Sequence, residues 1–225
     1  MYFESKKKGL ALFELATKIK SESSKKVFPY TNAVCSCRYC SYCSKGKCTL
    51  KHCCCMSERV RARTCTFREL LNDSFRYVED SAFHYRLRIA SERAQERKSC
   101  FLNQGHRRRF YNNMRKCKRR DAKFIGQLYL LTSFERLWEK ARIALLGDGI
   151  DYGKIDLSYM EDTEYLLFWV ACDLQYGGSH IDTYDLADDE AIDFEVFQLV
   201  CYAFTIYIYG MDAIKIAEKK GKRDE

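Results

Sequence analysis

An all-α fold is predicted for this chain, a small N-terminal cysteine-rich zinc module followed by a multi-helix bundle, and three observations predict it. Pro29 is the only proline among 225 residues, so almost nothing in the chain interrupts a helix. Apolar residues recur at helical spacing through most of its length. The one segment rich in β-branched and aromatic residues, LVCYAFTIYIYG, has no evident partner strand.

The elements follow in order. Leu10, Leu12, Phe13, Leu15, Ala16 and Ile19 define a first helix over residues 9–20, and SESSKKVFPYTNA (21–33) reads as a linker. Thr66 with Glu69 three residues later is a capping-box pattern that starts a helix near Phe67. A break around Glu79 to Ser81 leads into a second helix that runs to about Lys98, with Phe83, Leu87 and Ala90 on its apolar face.

Further helices are predicted at about 104–117, 121–131 and 133–146, the last burying a stripe of Phe134, Leu137, Trp138, Ala141 and Leu145. GDGIDYGK is a loop, and EDTEYLLFWVACDLQYGG is a helix capped by Gly177 or Gly178. FEVFQLVCYAF, long and unbroken, is read as a wholly buried helix. Composition divides the chain into an N-terminal helix plus metal module (1–65), a basic helical segment (66–120) and an acidic, aromatic-rich helical domain (121–225).

The net charge of +8 is unevenly distributed. Residues 1–120 hold 29 Lys and Arg against 10 Asp and Glu, whereas residues 121–225 hold 10 against 21. The densest basic stretch is HRRRFYNNMRKCKRR, 106–120. On a helix Arg108, Arg115 and Arg119 fall near one face, with Arg109, Lys116 and Arg120 beside them. Such a stripe suits a phosphate backbone, and Phe110 and Tyr111 are available for stacking. The predicted nucleic-acid contacts are Arg107, Arg108, Arg109, Arg115, Lys116, Lys118, Arg119 and Arg120. The competing readings are a solvated helix face and docking of the stripe on the acidic half of the same chain.

Eight of the thirteen cysteines lie within residues 35–55, CSCRYCSYCSKGKCTLKHCCC. No apolar run reaches the length of a membrane span and the N-terminus lacks a signal-peptide pattern, which predicts a soluble, cytoplasmic chain whose thiols stay reduced. Metal ligation then outranks a disulfide framework, as do the odd cysteine count and the adjacent Cys53, Cys54 and Cys55. Thiolate pairs with two intervening residues can grip one ion from a tight turn, and Cys37 with Cys40 and Cys40 with Cys43 have that spacing.

Cys40, Cys43, Cys48 and Cys53 compose one four-thiolate zinc site, and the metal candidates are Cys37, Cys40, Cys43, Cys48, Cys53 and Cys54. A second ion would draw on Cys35, Cys37, Cys54, Cys55 and Cys65 or His52. An iron-sulfur cluster on Cys37, Cys40, Cys43 and Cys48 is the alternative cofactor. It departs from the bacterial ferredoxin pattern in its last spacing and in the absence of a following proline.

HIDTYDLADDEAIDFE lacks the glycine of a calcium loop, so its carboxylates read as caps for two helix N-termini or as a docking surface for a basic partner. His84, His106 and His180 read as surface or capping residues. No phosphate-binding loop, nucleophile turn or zinc-protease motif is present, so no catalytic residue is assigned and the protein is expected not to be an enzyme.

CRYCSYCSKGKCTLKHCCCMSERV, together with the block from FLNQGHRRRFYNNM through QLYLLTSFERLW to DLADDEAIDFEVFQLVCYAF, resembles a family of cysteine-cluster proteins carried by phages and integrative elements of Gram-positive bacteria. The resemblance implies a mobile-element context and a cytoplasmic, mainly helical protein, and carries over no activity. Small proteins of such elements often act on nucleic acid or block host defence nucleases, including CRISPR effectors. The expected function is therefore a non-enzymatic, zinc-containing protein that contacts DNA or RNA phosphates through its basic half. The alternative is an inhibitor that binds a bacterial nucleic-acid enzyme.

Overall fold

The computed structural model describes residues 9–24, 30–31, 43–44, 47–48, 52–53, 56, 59–60, 65–147 and 149–218. Among these residues the chain is mainly helical. Its ten α-helices are α1 Leu12–Ser24, α2 Phe67–Ser74, α3 Ser81–Arg97, α4 Gln104–Lys116, α5 Ala122–Leu131, α6 Glu135–Ala141, α7 Asp162–Tyr176, α8 Thr183–Ala187, α9 Phe194–Tyr209 and α10 Met211–Ala217. Among the described residues, strands are confined to three antiparallel pairs: β1 Tyr30–Thr31 with β4 His52–Cys53, β2 Cys43–Ser44 with β3 Lys47–Cys48, and β5 Leu145–Leu146 with β6 Gly149–Ile150. No helix of the described residues is long and apolar enough to cross a membrane.

Local chemistry sets most helix starts. Thr66 and Glu69 form the expected capping box, in which the Glu69 N–H donates to Thr66 Oγ1 at 3.2 Å and the Thr66 N–H donates to Glu69 Oε2 at 2.7 Å. Asp80 caps α3 through the Phe83 N–H, Asp121 caps α5 through Phe124, and Asp193 caps α9 through Val196. The acidic run is spent largely in this way. Asp182 caps α8 while Asp185 accepts from its backbone N–H at 3.0 Å, and Asp188 accepts from Glu190 N and Ala191 N. Asp182 also accepts from Gly9 N at 3.0 Å, and Thr183 Oγ1 accepts from Leu10 N at 2.9 Å, which ties the segment before α1 to the start of α8.

Helix α9 is the axis of the core. Every residue from Val196 to Tyr207 is buried, as expected of a helix that is apolar all round. It packs against α5 most extensively and also against α2, α3, α7 and α10. Gly126 makes the crossing with α5 close: a Cβ there would lie 2.8 Å from Tyr207 Cβ and 2.9 Å from the Ala203 carbonyl oxygen. Aromatic contacts join α9 to the helices before it. Phe75 meets Phe83 and Phe204 at 5.0 Å each, Phe83 meets Phe197 at 5.3 Å, and Phe67 meets Tyr202 edge-on at 5.1 Å. Pairs of this kind contribute about 0.5–1.5 kcal/mol each beyond their area. One continuous cluster of buried side chains extends from Leu12 to Ala217 and takes residues from both sides of position 120.

Three expectations need correction. The first helix continues to Ser24, into the stretch expected to be linker. The helix expected over 133–146 ends at Ala141 and gives way to a 3-10 turn, Arg142–Ala144, and the β5–β6 hairpin. Its backbone groups find partners outside the helix: Asp151 N donates to the Ala144 carbonyl at 2.9 Å, and the Gly147 carbonyl accepts from Lys118 N at 2.9 Å. Gly210, at φ 64°, stops α9 and a short further helix, α10, follows that the spacing analysis missed. LVCYAFTIYIYG is helical, as expected.

Candidate nucleic-acid interface

Helix α4 carries the basic stretch, and its two faces have different fates. Asn103 caps it by accepting the His106 N–H at 2.9 Å. His106, Phe110, Asn113 and Met114 are buried, followed by Cys117 just beyond the helix. Arg107, Arg108, Asn112, Arg115 and Lys116 are exposed.

The eight cations named from the sequence divide into two groups. Three are engaged within the protein. Arg107 donates from Nε to Glu218 Oε1 at 2.6 Å, lies over the Tyr111 ring, and is held more firmly protonated by that hydrogen bond. Arg109 is half-buried and clasps the end of α5, donating to the Thr132 carbonyl at 2.9 Å and the Ser133 carbonyl at 2.7 Å; burial lowers its pKa, an effect that Glu135 opposes. Arg119 pairs with Asp121. The other five, Arg108, Arg115, Lys116, Lys118 and Arg120, are exposed and make no ion pair among the described residues. Among the described residues, Arg107 is the one cation of the eight that forms an ion pair with the distant acidic half, since Asp121 is local to Arg119.

One of the five exposed cations, Lys116, lines a groove of about 560 Å³. One wall is the C-terminal part of α4, with Asn112 and Lys116; the other is α6, the 3-10 turn and the hairpin, with Trp138, Arg142, Ile143 and Leu146. The hairpin is fastened to the loop after α4 by the Gly147 carbonyl, which accepts from both Lys118 N and Arg119 N. Arg142 pairs with Glu139 at 2.8 Å. Cys117 lines the groove as a buried thiol whose pKa is pushed up by burial, against the opposing pull of Arg120 and Lys116. That combination argues against a thiolate nucleophile. The sequence reading missed Arg142, Ile143 and Leu146, because it continued the helix through them.

The histidines differ from expectation in one case. His106 is fully buried rather than a surface or capping residue: its Nδ1 accepts the Leu102 N–H at 3.2 Å and its Nε2 donates to the Tyr129 carbonyl at 3.0 Å. Burial drives its pKa down to about 3, so the ring is neutral. His84 donates from Nε2 to the Val78 carbonyl at 2.6 Å. His180 is exposed, stacks on Trp169 at 4.1 Å and donates from Nδ1 to the buried Asp173 carboxylate at 2.6 Å.

Of the metal candidates, Cys37, Cys40 and Cys54 lie outside the described residues. The backbone register sets Cys43 opposite Cys48 across the β2–β3 pair and Cys53 opposite Tyr30 across β1–β4. Among the described residues no group of three or more potential ligands is assembled for a metal. Cys65, Cys100, Cys117, Cys172 and Cys201 are all buried, and burial pushes the Cys172 thiol up to about 12.

No family model matches the chain, and neither the curated proteins nor the solved structures include a match.

Proposed function

We propose that this protein binds DNA or RNA phosphates through the surface formed by α4 and the loop that follows it, as a binding protein rather than an enzyme. The observation that carries the reading is the set of five exposed cations, Arg108, Arg115, Lys116, Lys118 and Arg120, which make no ion pair among the described residues. Five like charges left unneutralised on one short stretch repel one another. A polyanion relieves that repulsion and releases its own condensed counterions as it binds.

Helix α4 is anchored for such a load by Arg109 and by His106, both of which grip carbonyls of α5 or the turn after it. Zinc held by thiolates of the 35–55 stretch is part of the same proposal. The chemistry of its donor set supports this, with a backbone register that sets Cys43 opposite Cys48. Its role there would be structural. The test is the salt dependence of binding by the full chain: affinity for nucleic acid falls steeply as salt rises, and no salt-sensitive binding to DNA or RNA would end the reading.

A further inference from the structure

The groove that Lys116 lines has a composition that a phosphate backbone alone does not require. Among the described residues, the large hydrophobic side chains left exposed are five tyrosines and two aliphatics, and both aliphatics, Ile143 at 62% and Leu146 at 42%, line this groove. Trp138 lies against the same space. Exposed aliphatic side chains that converge on one concavity leave apolar area in water, which a flat apolar ligand face would cover.

The polar groups at the rim are also specific in kind. Asn112 offers an amide donor and acceptor, Lys116 an ammonium with no ion pair among the described residues, and Arg142 a guanidinium already balanced by Glu139. The site thus pairs an apolar wall with amide hydrogen bonding and with the charge of Lys116, which stands in sequence between Arg115 and the pair Lys118 and Arg120.

We propose that this groove takes an unpaired nucleobase, which makes the protein a reader of single-stranded rather than duplex nucleic acid; the inference rests on the phosphate-binding reading above. The base lies against Ile143 and Leu146, and its edge meets the Asn112 amide. The flanking phosphates run along Arg115, Lys116, Lys118 and Arg120. A duplex offers those cations the same phosphates but keeps its bases stacked and paired, and so cannot fill the groove without paying to extrude one. The groove is of the size that small organic ligands occupy, and its frame is fixed at both ends by the Arg109 clasp and the Gly147 carbonyl.

The test measures full-length protein against fluorescent single strands, oligo-dT and oligo-rU, and against a blunt duplex of matching length, each over a salt series. The expected result is a preference of about tenfold for single strands. In an Ile143→Ser, Leu146→Ser variant that preference is lost, while duplex affinity and salt slope stay as in the parent. Both side chains are exposed, and unchanged thermal melting confirms that the variant is folded. Equal affinity of the parent for single strands and duplex, or a single-strand preference that survives in the variant, overturns the inference and leaves the phosphate-binding reading standing. Failure to bind any of the three probes at low salt removes both. If single strands are preferred, a comparison of oligo-dU with oligo-rU, which differ only in the 2′-hydroxyl, assigns the sugar.

Discussion

The imidazole of His106 is held between a backbone donor and a backbone acceptor: Leu102 N–H points at Nδ1, and Nε2–H points at the carbonyl of Tyr129, whose ring lies 4.6 Å from the imidazole. This fixes the tautomer and locks the basic helix α4 to α5. Tyr129 in turn donates its hydroxyl to the Cys100 carbonyl, so the chain before α4, α4 itself and α5 are closed into one unit.

A pH dependence of stability follows. In the unfolded chain His106 takes a proton below its ordinary value of 6.5, whereas in the folded protein it resists protonation down to about 3. Its contribution is therefore complete above pH 6.5 and is lost as pH falls from there toward 3, with a slope of up to about 1.4 kcal/mol per pH unit. Urea denaturation at a series of pH values measures this. A His106→Phe variant, which leaves Leu102 N–H and the Tyr129 carbonyl unpaired, is expected to be destabilised by about 1–3 kcal/mol at pH 7 and to lose that part of the slope.

Arg109 and its neighbours should separate by role. Replacing Arg115, Lys116, Lys118 and Arg120 by Gln is expected to leave melting nearly unchanged and to reduce the slope of log affinity against log salt by about 3. Arg109→Gln is expected to do the reverse. It strips the Thr132 and Ser133 carbonyls of their donor, costs about 1–3 kcal/mol, and leaves the slope of the folded protein intact. Fluorescence anisotropy over a salt series, paired with thermal denaturation, reads both.

Gly126→Ala tests the α5–α9 crossing. The added methyl would meet Tyr207 Cβ and the Ala203 carbonyl at 2.8 and 2.9 Å, and neither is the end of a flexible side chain. A loss of about 1–3 kcal/mol is expected from overpacking, read as a lower denaturation midpoint. A stability equal to that of the parent would mean that the helices cross less closely than described.

Gly178→Ala tests the contact between Asp173 and His180. A Cβ at 178 would lie 2.1 Å from Asp173 Oδ1, the atom that accepts from His180 Nδ1, while Asp173 Oδ2 accepts from His180 N at 2.7 Å. Displacing the carboxylate is expected to cost about 1–3 kcal/mol and to unstack His180 from Trp169, seen as a change in tryptophan emission. A Trp138→Phe background isolates that signal.

Metal removal tests the cysteine module. Protein purified without oxygen is expected to carry one or two equivalents of zinc, and Cys40→Ser, Cys43→Ser protein to carry less, with the bundle of residues 65–218 retaining its helical signal. Elemental analysis together with circular dichroism decides this. An absence of metal from the parent would turn attention to thiol redox chemistry, and iron with sulfide would favour the cluster alternative.

What the sequence determined by itself was the local chemistry and the overall class. Thr66 with Glu69 announces a helix start, and the carboxylates of HIDTYDLADDEAIDFE were open to a reading as caps, because each cap reaches only two or three residues along the chain. The buried nature of Val196 to Tyr207 was legible because an unbroken apolar helix has nowhere to lie but the core. The division of the basic stretch was not legible. Eight cations look alike in one dimension, and only packing brings Arg109 to Thr132, 23 residues on, and Arg107 to Glu218, 111 residues on. The same holds for His106, whose partner Tyr129 lies on another helix, and for the groove, whose apolar wall exists because the chain leaves the helix at Ala141 and folds a hairpin back onto the Lys118 amide. Caps are satisfied within a turn; clasps, burial and concave surfaces come from elements that meet only when the core forms, and that is where the tertiary structure decided which charges stay without an ion pair among the described residues.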